Sequence, residues 1–277
     1  MRAWPLGLLL LSACGPTDTG GGGGGPSGFA RGIAYVSGGD IWVADSSDFQ
    51  GTAQMLTNTG VDGAPALTRD GHTVAFVRAD PSGSAGISSV SSAGGSATVL
   101  VPPAMHTFGG LAWSPDGSTL DFAQDGAIWM VLSDGSGLMQ MGPAGQFSSP
   151  SVANDGSLWA FDATAGAFSK IVGGQPTPGF TTPTAVRGAI SPSGSALAYE
   201  DGSAHEVFVI DAPGSTPRQL TQIPGGNQGS PCWSTDGSTI FFTSDIGGET
   251  KIYSAPASAV QSSGTLVQVG SMPSFGG

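Results

Sequence analysis

Trp113-Ser114-Pro115-Asp116-Gly117-Ser118-Thr119-Leu120-Asp121-Phe122 decides how the whole chain is read. An Asp-Gly pair stands between a short apolar run ending at Trp113 and a second run that starts at Thr119. Glycine accepts the positive φ of a tight hairpin turn, and aspartate hydrogen-bonds the backbone of its own turn. The same grammar returns at Leu67-Thr68-Arg69-Asp70-Gly71-His72-Thr73-Val74-Ala75-Phe76, and again over 152–161, 190–199 and 233–242. A sixth copy starts late, at Arg31-Gly32-Ile33-Ala34-Tyr35-Val36. Gly32, Gly71, Gly117, Gly156, Gly194 and Gly237 follow one another at 39, 46, 39, 38 and 43 residues, the period of a four-stranded propeller blade.

Each copy continues with a second apolar run, such as Asp40-Ile41-Trp42-Val43-Ala44-Asp45, and a third, such as Gln54-Met55-Leu56-Thr57. With the run before the Asp-Gly turn these make four strands, A to D, per repeat. The expected fold is therefore all-β, a six-bladed propeller of four-stranded blades. The first copy lacks strand A. The chain ends on Ser271-Met272-Pro273-Ser274-Phe275, which matches the strand A runs Gly63-Ala64-Pro65-Ala66-Leu67 and Gly229-Ser230-Pro231-Cys232-Trp233. The C-terminal strand is expected to complete the first blade and close the ring, which removes an open sheet edge.

Composition agrees with a loop-rich β protein. Among 277 residues there are 47 glycines and 20 prolines, and charged residues make up only 10%. Lysine and glutamate, which usually fill exposed helix faces, are almost absent, so helical bundles and coiled coils are excluded. The net charge of −12 repels phosphate backbones and anionic lipid headgroups, which argues against nucleic acid as a partner. Two cysteines cannot make a disulfide framework, and no apolar stretch approaches the roughly 18 residues of a membrane-spanning helix.

Arg2, the run Leu6-Gly7-Leu8-Leu9-Leu10-Leu11 and then Ser12-Ala13-Cys14 read as the charged, apolar and small-residue parts of a secretory signal. Leu11-Ser12-Ala13-Cys14 also resembles the lipobox of bacterial lipoproteins, which implies acylation of Cys14 and removal of residues 1–13. Gly15 after the cysteine favours the outer membrane by the same resemblance. Residues 14–28, with six consecutive glycines from Gly20 to Gly25, form a lipidated tether with nothing to bury. The propeller occupies 29–277 and is expected to be monomeric.

The Ser-Pro-Asp-Gly turn, the aromatic on strand B and the Ile-Trp-Val-Ala-Asp type of strand C resemble the TolB-type, WD-like propeller repeat over about residues 30–275. That resemblance implies a non-catalytic binding platform at the periplasmic face of a bacterial envelope membrane, with envelope proteins as partners. No α/β domain precedes the repeats, so partner contacts are not carried over residue by residue. No Gly-x-Ser-x-Gly nucleophile elbow is present, and no enzyme activity or cofactor is expected. His72, His106 and His205 stand singly, without metal-site spacing. Cys232 reads as an inert buried thiol, and Trp42, Trp113, Trp129, Trp159 and Trp233 read as packing between blades.

Candidate binding residues come from the loops between strands B and C, which share a face with the loops leading into strand A. Asp40, Asp80, Asp125, Asp162, Glu200, Asp201, Asp245 and Glu249 give every blade at least one carboxylate there. Aspartate also suits tight turns, so these loops read either as solvated turns or as an acidic rim for a basic protein segment or a cation. Phe108, Phe147, Arg187 and Gln228 are placed nearer the channel mouth. The alternative function is a small-ligand, glycan or metal-binding propeller with lyase-type activity, using His106 or His205 with carboxylates.

Overall fold

The computed structural model describes the backbone of residues 11–14 and the whole of residues 32–267. The described strands form six four-stranded antiparallel sheets. Blade one holds β1 (Leu11–Cys14), β2 (Gly32–Ser37), β3 (Asp40–Asp45) and β4 (Gln54–Met55), with a short α1 (Phe49–Thr52) before the last strand. Blade two holds β5 (Asp62–Leu67), β6 (Thr73–Ala79), β7 (Ala85–Ser91) and β8 (Thr98–Ala104). Blade three holds β9 (Phe108–Trp113), β10 (Thr119–Gln124), β11 (Ala127–Leu132) and β12 (Met139–Gln140). Blade four holds β13 (Phe147–Val152), β14 (Leu158–Asp162), β15 (Ala167–Val172) and β16 (Gln175–Thr181). Blade five holds β17 (Ala185–Ile190), β18 (Leu197–Asp201), β19 (Glu206–Ile210) and β20 (Arg218–Gln219), and blade six β21 (Gln228–Trp233), β22 (Thr239–Ser244), β23 (Lys251–Pro256) and β24 (Thr265–Leu266). The first strand of each blade meets the first strands of its neighbours, and β1 touches both β5 and β21, so the ring is closed.

The repeat motif is a turn-building device. Gly117 N–H donates to the Ser114 carbonyl at 2.9 Å, and the equivalent bond recurs at Gly71, Gly156, Gly194 and Gly237. Ser114 Oγ donates to Asp116 Oδ1 at 2.7 Å and accepts from Thr119 N–H at 3.0 Å, while Asp116 also accepts from Ser118 N–H. These donors, Ser114 first, hold the Asp116 carboxyl down at about 2. Ser234, Asp236 and Ser238 repeat the arrangement in blade six.

Sheets pack face to face through side chains that alternate along strand B. In blade three Leu120 and Phe122 turn towards blade two, joining Ala66, Ala75 and Ile87, whereas Ala123 turns towards Phe147, Leu158 and Ala160 of blade four. The tryptophan at the end of strand A staples neighbours: Trp113 Nε1 donates to the Ala66 carbonyl at 3.0 Å, and Trp233 Nε1 to the Ala189 carbonyl at 2.9 Å. Trp113 and Trp233 are buried, as the sequence predicts, and so is the free thiol of Cys232.

Ring closure departs from expectation. The slot beside β2 that the sequence assigns to Ser271–Phe275 is filled by Leu11–Cys14, with Leu11 opposite Tyr35 and Cys14 opposite Ile33. Ser271–Phe275 lies outside the described residues. The physical reason is that pairing along a sheet edge is made by backbone groups, so a second short segment satisfies the same N–H and C=O row.

Candidate functional site

A cavity of about 380 Å³ lies along the inner strands β5, β9, β13, β17 and β21. Four of these strands carry a bulge residue at positive φ: Ala64 at 47°, Gly110 at 125°, Ser149 at 49° and Ser230 at 50°. Around each of Ala64, Ser149 and Ser230 the register with strand B skips two residues, the second of which is Pro65, Pro150 or Pro231. Proline lacks an N–H, so within a strand it fits where the ladder is interrupted. A non-glycine residue in the left-handed region costs on the order of 1 kcal/mol, and such strain gathers where a surface is shaped for use.

Both ends of the cavity carry arginine. Arg69 occupies the turn position held elsewhere by Pro115, Asn154, Pro192 and Thr235. Its Nη2 donates to the Val152 carbonyl of blade four at 2.9 Å, so the side chain reaches across the A–B turn end of the channel. Burial pushes its guanidinium below the usual arginine value. No carboxylate lies within ion-pair reach of it among the described residues. Arg187, nearer the opposite end, places Nε 3.3 Å from Glu200 Oε2 and Nη1 3.2 Å from Ser230 Oγ. Glu200 Oε2 in turn accepts from Ser230 N–H at 3.1 Å, locking the strained residue of β21. A Cβ on Gly229 would run into Glu200 Oε2, so a larger residue there would push the carboxylate aside.

Of the four residues assigned to the channel mouth, Phe108 and Arg187 line the cavity. Phe147 and Gln228 do not. Phe147 is 6% exposed and packs between blades three and four, and Gln228 is 1% exposed with Nε2 donating to Ser244 Oγ. All three first residues, Phe108 of β9, Phe147 of β13 and Gln228 of β21, hold the same place in the ladder, and neighbouring side chains cover Phe147 and Gln228 but leave Phe108 only partly buried. Val186, 46% exposed, is a lining residue that the sequence did not single out.

The acidic loop residues fasten the face together. Asp40 Oδ1 accepts from Thr59 N–H at 2.6 Å and Gly60 N–H at 2.9 Å. Asp125 accepts from Thr107 N–H and lies 2.6 Å from His106 Nδ1, contacts that keep its carboxyl below the usual range. Asp245 takes Asn227 N–H and its side-chain Nδ2. Asp201 binds Thr184 Oγ1 together with Ser203 N–H and Ala204 N–H. Each of these four carboxylates caps the loop leading into a strand A, which puts both loop sets on one face. Asp80 and Asp162 accept from N–H groups of their own loops. Asp162 and Asp201 are only 8% and 9% exposed, Glu200 is directed to Arg187, and Asp125 and Glu249 are exposed.

Burial alone would raise the Asp201 carboxyl, and its three donors outweigh that and hold it low. Its contribution is therefore present at neutral pH and lost as pH falls through the native titration. Asp201→Asn is expected to lower stability by about 1–2 kcal/mol at pH 7, with the difference shrinking under acid in parallel thermal melts. A variant that melts like the parent at pH 7 would refute the clamp.

No three of His, Cys, Asp and Glu come together as metal ligands among the described residues. His106 pairs with Asp125 alone, and His205 sits exposed at φ 54°.

No family model and no curated protein sequence matches the chain. Solved structures do. TolB from Acinetobacter baumannii superposes with a TM-score of 0.66 at 17% identity over 84% of this chain, which spans 62% of that protein. A putative TolB from Agrobacterium tumefaciens gives 0.62 at 17% identity over 90% of each chain. The fold is that of the TolB-type propeller. Another solved structure shares it: an oligogalacturonate lyase in complex with manganese matches at 0.55 and 15% identity, over 81% of this chain and 73% of its own. The arrangement of blades is what these likenesses show, and the TolB-like chain described here has none of the clustered metal donors that a manganese site would need among its described residues.

Proposed function

We propose that this TolB-like propeller is a non-catalytic interaction module, held by a lipid on Cys14 at the periplasmic face of a bacterial envelope membrane, with an envelope protein as its partner. The observation that carries the reading is the loop face itself. Carboxylates fix the loops entering strands A, and inside that fixed rim the channel mouth presents Phe108, Val186 and Arg187. A rigid rim around an apolar and partly charged opening suits an inserted protein segment, because little ordering entropy remains to be lost on binding. The net charge of −12 favours a partner segment that is basic overall. The Leu11-Ser12-Ala13-Cys14 motif and the glycine tether support the membrane attachment.

A second reading, a small-ligand propeller, draws on the cavity and on Arg69, a guanidinium with no carboxylate partner among the described residues. The lyase form of that reading lacks a ligand set for a metal among those residues. Crosslinking in the native envelope separates the two. A Phe108→Asp/Val186→Asp variant, read below its own melting temperature because Phe108 also packs on Phe122, is expected to lose at least about 90% of a discrete crosslinked product, a penalty of about 1.4 kcal/mol or more. A Cys14→Ser form controls for membrane proximity. Persistence of the product in the double variant would remove the mouth from the interface.

A further inference from the structure

We propose that the A–B turn end of the channel is a binding site for a small oxyanion, the carboxylate or phosphate group of a ligand lying in the cavity, with the Arg69 guanidinium as its anchor. This rests on the small-ligand reading and names its ligand chemistry; the protein partner assigned to the opposite mouth does not enter it.

Arg69 is the exception among the described arginines. Arg78 is paired with Asp62 at 2.7 Å, Arg187 with Glu200 at 3.3 Å and Arg218 with Asp211 at 2.9 Å. A guanidinium has five N–H donors. Arg69 spends one of them, on the Val152 carbonyl, and the rest have no partner among the described residues. A backbone carbonyl satisfies a donor but brings no negative charge. The side chain is nonetheless half-buried, and that burial holds its guanidinium below the usual arginine value. Taking a cation out of water without a counter-charge is costly, and a bound anion offsets that cost.

The nearby carboxylates do not fill the role. Asp70, next in sequence, accepts from Thr68 Oγ1 at 2.6 Å and His72 N–H at 3.0 Å. Asp116, in the corresponding turn of blade three, is held by Ser114 and Ser118. Both are bound into their own turns and exposed, whereas Arg69 lines the cavity.

The wall that Arg69 reaches suits the remainder of a ligand. On blade four, Ser148 and Ser149 line the cavity, and neither hydroxyl has a partner among the described residues. Ser149 is held at φ 49° where the register of β13 with β14 skips, so this stretch of wall departs from the regular ladder. Trp113 and Trp233 add apolar surface at the same end. A volume of about 380 Å³ is at the low end for small-molecule sites, the size of an organic acid or a phosphate ester. A planar guanidinium meets either group through paired N–H bonds.

Arginine-selective ¹⁵N labelling tests this, because the chain has only six arginines. The full chain is titrated with sodium acetate and, separately, with sodium phosphate, each against chloride at constant ionic strength. The net charge of −12 opposes loose anion binding, which makes a saturable response at one arginine diagnostic. The Arg69 Nε–H signal, assigned by its loss in Arg69→Gln, should shift to saturation with at least one of the two anions while those of Arg78, Arg187 and Arg218 stay nearly still. Acetate alone would assign a carboxylate, phosphate alone a phosphoryl group. Arg69→Lys keeps the charge and loses the planar fork, and should weaken binding at least about tenfold, read from the linewidth of ¹³C-labelled acetate or of the phosphate ³¹P signal. Acetamide, the neutral isostere of acetate, separates the two ways of failing. An Arg69 shift as strong with acetamide as with acetate would keep a small-ligand site and overturn its oxyanion chemistry. No response to any of the three probes, or equal shifts at every arginine, would make Arg69 a brace between blades two and four and overturn the site itself.

Discussion

Arg78→Ala is expected to cost the fold about 3 kcal/mol. Arg78 Nε and Nη2 make a two-pronged contact with Asp62 Oδ1 and Oδ2 at 2.7 and 2.8 Å, joining the first residue of β5 to the end of β6. The Asp62 side chain is fully buried, whereas that of Arg78 is 33% exposed. Its hydrogen bond to Asp62 raises the guanidinium above the usual arginine value despite partial burial. Removing the arginine strands a charge in a place that water does not reach, which is why the loss exceeds that of a surface ion pair. Arg78 also lies 5.0 Å over the Phe76 ring, so some of the loss is packing. Asp62→Ala in the same chain should recover most of the stability, because the penalty belongs to the orphaned carboxylate. Chemical denaturation of the two single variants and the double would show it; additive losses would mean that the pair is not coupled.

Asp121→Ala is expected to act in the opposite direction. Asp121 is on β10 between the fully buried Leu120 and Phe122, and is itself 8% exposed. It shares a strand face with Ala123, which packs towards blade four, and the matching residues of other blades are the buried alanines Ala75, Ala160 and Ala198. Burial pushes its carboxyl up to about 7, with no compensating partner among the described residues. The native state therefore holds this proton more tightly than the unfolded chain. Stability is greatest below the ordinary carboxyl value of 3.8, declines as pH rises towards about 7, and is flat beyond. A shift of this size corresponds to up to about 4 kcal/mol at pH 8, so the alanine variant should melt up to ~10 °C higher there. At pH 4 the two proteins should nearly coincide. A variant no more stable than its parent at pH 8 would show that Asp121 is not a buried cost.

These residues also show where sequence reading reaches and where it stops. The Asp-Gly turn was legible because its bonds are local: Ser114, Asp116, Ser118 and Thr119 satisfy one another within six residues. Strand order followed, since each turn joins neighbouring antiparallel strands and the apolar alternation identifies the faces that pack. The acidic loop residues were found as a set, but their orientation was not. Both Asp201 and Asp125 take a threonine hydroxyl, but Asp201 is also wrapped by the N–H groups of its own loop, whereas Asp125 stays at the edge beside His106. Phe147 and Gln228 were assigned to the channel entry by position, and neighbouring side chains bury both instead. Arg69 was visible as the one cation at its turn position, yet its reach to Val152 spans 83 residues and exists only once the ring has closed.

What the sequence by itself determined is the number of blades, the order of their strands and the chemistry of each A–B turn. All of these depend on contacts between residues close in the chain. The tertiary structure alone decided which carboxylates are clamps and which are exposed, which arginine has a carboxylate partner, and which segment lies beside β2. Those outcomes depend on desolvation and on neighbours supplied by other blades, and a sheet edge accepts any strand that brings its backbone groups into register.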